Sequence, residues 1–119
     1  MATILIVEDN PNNMKLAQLL LETSGHDVLQ AVNAQDGINL ARSHAPAMIL
    51  MDIQLPGMDG LTAARLLKQD EQTSHIKIIA LTAFAMKGDE EKMRQAGCDG
   101  YIAKPIRYKE FLQTIDALL

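Results

Sequence analysis

With 119 residues, 48% hydrophobic side chains, a formal net charge of −4 and a pI of about 5.2, the chain fits one domain of residues 1–119 built on a single core. It has no global positive field of the kind that draws proteins to nucleic-acid phosphates, so no direct contact with nucleic acid is expected. A lone Cys98 cannot close an intramolecular disulfide, the N-terminus carries no basic leader, and apolar runs such as residues 4–7 and 48–51 are far too short to cross a bilayer. The expectation is a reduced, cytoplasmic protein without a membrane anchor.

Residues 3–7 (TILIV) read as a short apolar strand. An amphipathic stretch over 11–24 follows, with Asn10 as N-cap, Pro11 at the first helical position and Gly25 closing it. Leu16, Leu19, Leu20 and Thr23 recur at helical spacing on one face. The alternation then repeats. A second strand is expected over 27–31 and a second helix over 34–44, with Pro46 barring further helix. Residues 47–52 (AMILMD) form an apolar run without polar alternation, the pattern of a central strand covered on both faces, and it ends on an acid. After the loop Gln54-Leu55-Pro56-Gly57 come a helix over 59–69, a strand over 77–81 ending at Thr82, and a helix over 86–95 stopped at Gly97. A strand over 100–103, the pair Lys104-Pro105 and a helix from about Tyr108 complete the chain.

Five strands alternating strictly with five helices predict an α/β doubly wound domain: a five-stranded parallel sheet of order 2-1-3-4-5 with helices on both faces, since each parallel crossover must be long and right-handed. Ligands in such sheets gather at the carboxyl ends of the strands. Here those ends are polar: Glu8 and Asp9 after strand one, Asp52 after strand three, Thr82 after strand four and Lys104 after strand five. Three crowded carboxylates repel one another, and a divalent cation relieves them. An all-oxygen set suits Mg²⁺, with the Gln54 backbone carbonyl as a further ligand. An aspartate attacking phosphorus becomes a mixed anhydride, and positive charge or donors must meet the equatorial oxygens. Mg²⁺, the Lys104 ammonium and the Thr82 hydroxyl would supply them.

The strings at 4–10 (ILIVEDN), 50–56 (LMDIQLP), 81–83 (LTA) and 104–105 (KP) resemble the four signatures of response-regulator receiver domains of two-component signalling, which share a flavodoxin-like (βα)5 fold. The strings at 13–16 (NMKL) and 82–90 (TAFAMKGDE) further resemble single-domain cell-division regulators of the DivK type, and similar receivers occur within hybrid kinases and phosphorelays. The resemblance implies Asp52 as the phosphorylated residue and Glu8, Asp9 and Asp52 as the Mg²⁺ ligands. It implies Thr82 as the switch hydroxyl, Lys104 as its charge partner before a cis bond to Pro105, and Tyr101 as the switch aromatic. Gln54 and Phe84 take the two variable positions that adjust dephosphorylation. A sensor histidine kinase or a histidine phosphotransfer protein would be the donor and a downstream protein the effector, contacted through residues 86–118, with the chain a monomer or weak dimer. It would not be an enzyme in the usual sense, catalysing only its own phosphorylation and dephosphorylation.

Each residue also has a plainer explanation. Asp9 and Asn10 suit a helix cap, Asp52 a turn, Thr82 a strand end and Lys104 a solvated loop. Four strand ends would then have assembled one phosphate site by accident. His26, His44 and His75 lack metal-ligand spacing and read as surface residues, Cys98 as an inert thiol, Met86 and Met93 as core, and residues 87–94 as a solvated helix face. Three rivals remain in view. A Mg²⁺-dependent aspartyl-phosphate phosphohydrolase would need a general acid where Gln54 stands, a flavin or nucleotide module a phosphate loop where Glu8-Asp9 stands, and a degenerate receiver a broken acid, hydroxyl and lysine set.

Overall fold

The computed structural model describes residues 2–83 and 87–119. Five strands, β1 (Thr3–Val7), β2 (Asp27–Ala31), β3 (Met48–Asp52), β4 (Lys77–Thr82) and β5 (Gly100–Ala103), alternate with five helices. The helices are α1 (Pro11–Thr23), α2 (Ala34–His44), α3 (Gly60–Gln69), α4 (Lys87–Gln95) and α5 (Tyr108–Leu118). All strand pairings are parallel and the order is β2-β1-β3-β4-β5, as the alternation predicts.

Side chains of a strand point alternately to the two sheet faces, and here both faces are covered. Leu5, Val7, Ile49, Met51 and Ile78 pack with Ile38 and Ala41 of α2 and Ala63, Ala64 and Leu67 of α3. Ile4, Ile6, Met48, Leu50, Ile79 and Leu81 pack with Met14, Ala17 and Leu21 of α1 and Phe111 and Ile115 of α5. Every residue of β3 is buried, which is why that segment reads as an unbroken apolar run. Phe111 is fully buried in the second layer, so Phe111→Ala would cost about 3–5 kcal/mol of stability.

Two expectations are corrected. The face of α1 marked by Leu16, Leu19, Leu20 and Thr23 is not the core face: Met14, Ala17 and Leu21 are buried, whereas Leu19 is 60% exposed. α1 carries apolar residues on more than one side, and only the sheet decides which stripe it covers. His26 is not a surface histidine. It is buried, and its Nδ1 accepts the Ala2 amide N–H at 3.1 Å, pinning the start of β1 beside β2.

Local stops follow the chain chemistry. Asn10 accepts from the Asn12 and Asn13 amides at the head of α1, and Asp59, just before the first residue of α3, accepts from the Thr62 amide. α2 ends on Ala45 in a left-handed conformation (φ 45°), because Pro46 disfavours a right-handed helical conformation in the residue before it. Gly97 (φ 98°) closes α4, and the helix start expected at Met86 lies outside the described residues.

Candidate functional site

The order β2-β1-β3-β4-β5 sets the carboxyl end of β3 between those of β1 and β4. Glu8, Asp9 and Asp52 thereby meet, each offering a carboxylate oxygen within 4.8 Å of the others. Glu8 and Asp52 are buried and Asp9 is exposed. Lys104, after β5, reaches across: its Nζ lies 2.9 Å from Glu8 Oε1 and 3.1 Å from Asp52 Oδ2. The Lys104–Pro105 peptide bond is cis, and the Lys104 amide donates to the Thr82 carbonyl at 2.7 Å, which holds the β5 end beside that of β4.

Local backbone chemistry orients the two buried acids. The Asn10 amide donates to Glu8 Oε2 at 3.2 Å, so the residue that caps α1 also holds the acid before it. The Gln54 amide donates to Asp52 Oδ1 at 2.9 Å, a short side-chain-to-backbone turn that fixes the carboxylate at the strand end. Gly60, first residue of α3, donates its amide to the Ile53 carbonyl at 3.0 Å. A Cβ at Gly60 would lie 2.1 Å from the Asp52 carbonyl oxygen, so only glycine lets α3 start this close to the acid.

Electrostatics divides the acids. Burial pushes the Glu8 carboxyl up to about 7, with its hydrogen bond to Asp52 adding to the rise against the pull of Lys104 and the Asn10 amide. Burial also works against the Asp52 charge, but the hydrogen bonds from Glu8, the Gln54 amide and Lys104 outweigh it, leaving Asp52 below the usual aspartate value. The two carboxyls therefore titrate as a pair, with Glu8 biased toward its protonated form and Asp52 toward its charged form. Lys104 also opposes burial: the two carboxylates keep its ammonium above the ordinary lysine value.

The donor set suits a hard divalent cation. Three carboxylates present oxygen only, and Glu8 Oε1 is buried without a hydrogen bond of good geometry, its contact with Lys104 being an ion pair. A cation among these oxygens would give that atom a second positive partner and ease the repulsion among the three carboxylates.

Thr82 is buried at the end of β4, in register with Ala103. Tyr101 stands apart from the acids, 38% exposed, its hydroxyl donating to the Glu90 carboxylate of α4. Gln54 is exposed beyond its amide contact, and Phe84 lies outside the described residues. The residue reading missed Gly60 and Glu90. A glycine at a helix start beside the acid-bearing loop was the available signal for the first; Glu90 sat unmarked within a mixed charge run.

Comparison with known proteins agrees with this geometry. Residues 4–116 match the response regulator receiver domain family. The chain is 50% identical over 117 residues to the polar-differentiation response regulator DivK of Brucella anthropi, covering 98% of this chain and 95% of that protein, and equally to DivK of Brucella ovis. Among solved structures, it is 35% identical to the receiver domain of the sensor histidine kinase PA1611 from Pseudomonas aeruginosa PAO1, whose crystal structure has a magnesium ion coordinated in the active site cleft. That match has a TM-score of 0.90 and covers 98% of this chain and 96% of the other. Vibrio cholerae CheY4, at 22% identity, shares the fold with a TM-score of 0.95 over 100% of this chain and 99% of its own. With the family match spanning nearly every residue, and DivK relatives at half identity over the same span, the chain belongs to the response regulator receiver domains and is a DivK-like member of them.

Proposed function

We propose that this receiver is a phosphoryl-accepting switch in which Asp52 takes the phosphoryl group of a phosphohistidine, donated by a sensor histidine kinase or a histidine phosphotransfer protein. The observation that carries this reading is the single contact set at the strand ends: Asp52, buried and held below the usual aspartate value, between the Lys104 ammonium and two further carboxylates. An Asp52 carboxylate oxygen forms the new O–P bond while the P–N bond breaks. The bonding pair returns to the imidazole nitrogen, so no external oxidant or reductant enters. Later attack by water regenerates Asp52 and releases inorganic phosphate.

Glu8, Asp9 and Asp52, with the Gln54 carbonyl, would hold Mg²⁺, as the magnesium in the PA1611 receiver and the cluster of three carboxylate oxygens support. Bound Mg²⁺ supplies charge neutralisation for the acids and for the equatorial phosphoryl oxygens. Lys104 would exchange its ion pair with Asp52 for one with the phosphoryl group, and Thr82 would move its hydroxyl toward the same oxygens. Tyr101 would follow by turning inward, changing the surface of α4, β5 and α5 that a protein effector reads. On this reading the protein acts in the cytoplasm and turns over no external metabolite.

The decisive experiment is incubation with Mg²⁺ and beryllofluoride or a small phosphodonor. A labile adduct is expected that Asp52→Asn abolishes and chelation prevents. Continuous phosphate release from many monoesters would instead identify a phosphohydrolase. The identity to the PA1611 receiver also favours a second setting, the receiver module of a hybrid kinase or phosphorelay.

A further inference from the structure

We infer that Glu90 is a latch that holds Tyr101 in its outward orientation, so that a side chain on α4, remote from the phosphoryl site, sets how readily the switch turns on. The inference rests on the switching role proposed above for Tyr101. Its own observation is separate: the Tyr101 hydroxyl donates to the Glu90 carboxylate, joining β5 to α4 across eleven residues of sequence. A phenol bonded to a carboxylate is a charge-assisted pair, stronger than a neutral one. That hydrogen bond also raises the phenol above the usual tyrosine value, with slight burial and the Glu90 charge adding to the effect.

The surroundings leave this bond a large share of the local restraint. Among the described side chains of α4, only Met93 is buried, and the Arg94–Glu91 and Gln95–Glu91 bonds stay within the helix. Beside the Tyr101 ring lies a groove of about 190 Å³ lined by Met93, Arg94, Cys98 and Asp99, so the seam between α4 and β5 is incompletely filled there. Among the described residues, α4 is held by Met93, by Ala96 just after its end and by this one cross-element side-chain hydrogen bond, so it is easily displaced when that bond is broken. Tyr101 stands two residues before Ala103, the register partner of Thr82. Turning its ring away from solvent requires giving up Glu90, and the latch opposes that movement in the unphosphorylated protein.

Removing a partner from a two-state equilibrium shifts the population by the differential strength of that contact, and the apparent affinity of any ligand that selects the favoured state follows. Glu90→Ala is therefore expected to tighten beryllofluoride binding in Mg²⁺ by about two- to tenfold and to move the Tyr101 ring resonances of the free protein toward their adduct positions. Glu90→Gln, which keeps an acceptor but loses the charge, should give a smaller change in the same direction. Tyr101→Phe keeps the ring and removes the donor, so it should match Glu90→Ala, and Glu90→Ala in that background should add nothing. Both side chains are at least partly exposed, so the folded protein is retained in every variant.

Equal effects of Glu90→Ala in the wild-type and Tyr101→Phe backgrounds would overturn the latch, assigning the change to the charge of α4 instead. A Tyr101 ring that moves on adduct formation while Glu90→Ala leaves affinity unchanged would also overturn the latch, and the switch reading would stand. A ring that does not move in the wild-type adduct would sink the switch reading, and the latch with it.

Discussion

The Lys104 ammonium stands 3.1 Å from Oδ2 of Asp52, joining the end of β5 to the end of β3 across the intervening β4. The same ammonium lies 2.9 Å from Glu8 Oε1, so one cation serves two buried carboxylates. Replacing it with an isosteric apolar chain, as in Lys104→Met, takes away the neutralising charge and, on the proposed function, a donor for the incoming phosphoryl group. Adduct formation with a small phosphodonor is expected to fall by about a hundredfold or more. Phosphorylation kinetics on folded Lys104→Met protein, verified by circular dichroism, test this; an unchanged rate would remove Lys104 from the chemistry.

Metal binding should depend on pH through Glu8. In the metal-free protein burial raises its carboxyl from 4.5 to about 7, so the folded state binds a proton more tightly than the unfolded chain. The stability linked to that proton is fully present below 4.5 and is lost as pH rises through about 7. A cation needs the charged form, so Mg²⁺ must expel the proton below that point. Mg²⁺ affinity is expected to be flat above pH 7 and to weaken toward tenfold per unit below it. Titration calorimetry in buffers of different ionisation enthalpy should register proton release at pH 6 and little at pH 8. Glu8→Gln should flatten the pH profile while weakening binding.

Gly60 makes a prediction about position rather than charge. An alanine there would bring its Cβ to 2.1 Å from the Asp52 carbonyl oxygen and 2.8 Å from the Ile53 Cα, both backbone atoms that cannot rotate aside. At Gly100 the added Cβ would meet the Leu118 side chain at 2.7 Å, a flexible tip far from the acids. Both substitutions should lower the melting temperature. Gly60→Ala alone should also weaken Mg²⁺ binding and slow adduct formation, by about tenfold, because it displaces the Asp52 backbone and with it the proposed acceptor. Parallel loss of chemistry in Gly100→Ala would show that stability, not placement, governs both.

Cys98 should be a poor nucleophile. It packs against the layer formed by α2 and α3, and burial pushes its thiol up to about 11, with the nearby Asp99 adding to the rise against the pull of Lys68. Against an ordinary thiol near 9, about a hundredfold less thiolate is present at neutral pH. Alkylation of the native protein at pH 7.5 should be slower than in denaturant by about that factor. Equal rates in the two states would mean the thiol is accessible and unshifted.

The periodic pattern of apolar runs and caps was enough to define the alternating α/β order, because helix and strand spacings are local and each terminus carries its own stop: Asn10 and Pro11 at the head of α1, Pro46 after α2, Gly97 after α4. The polar residues at the strand ends were equally legible, since a break from apolar to acidic is a feature of contiguous sequence. Which stripe of α1 faces inward was not, because Leu16, Leu19 and Leu20 are as apolar as Met14, Ala17 and Leu21, and burial depends on where the sheet lies. The role of His26 escaped for the same reason, its partner being the Ala2 amide 24 residues away.

What the tertiary structure alone decided is distance and the electrostatics that follow from it. Glu8 and Asp52 are both acids in the sequence, yet one is raised and the other lowered, a division set by burial, by which amide each accepts from and by Lys104 lying within 3.1 Å of both. The bond between Glu90 and Tyr101 likewise arises only when α4 lies against β5. Residue identity supplies groups able to ionise or donate; only packing brings them within the few ångströms over which desolvation and Coulomb attraction become large.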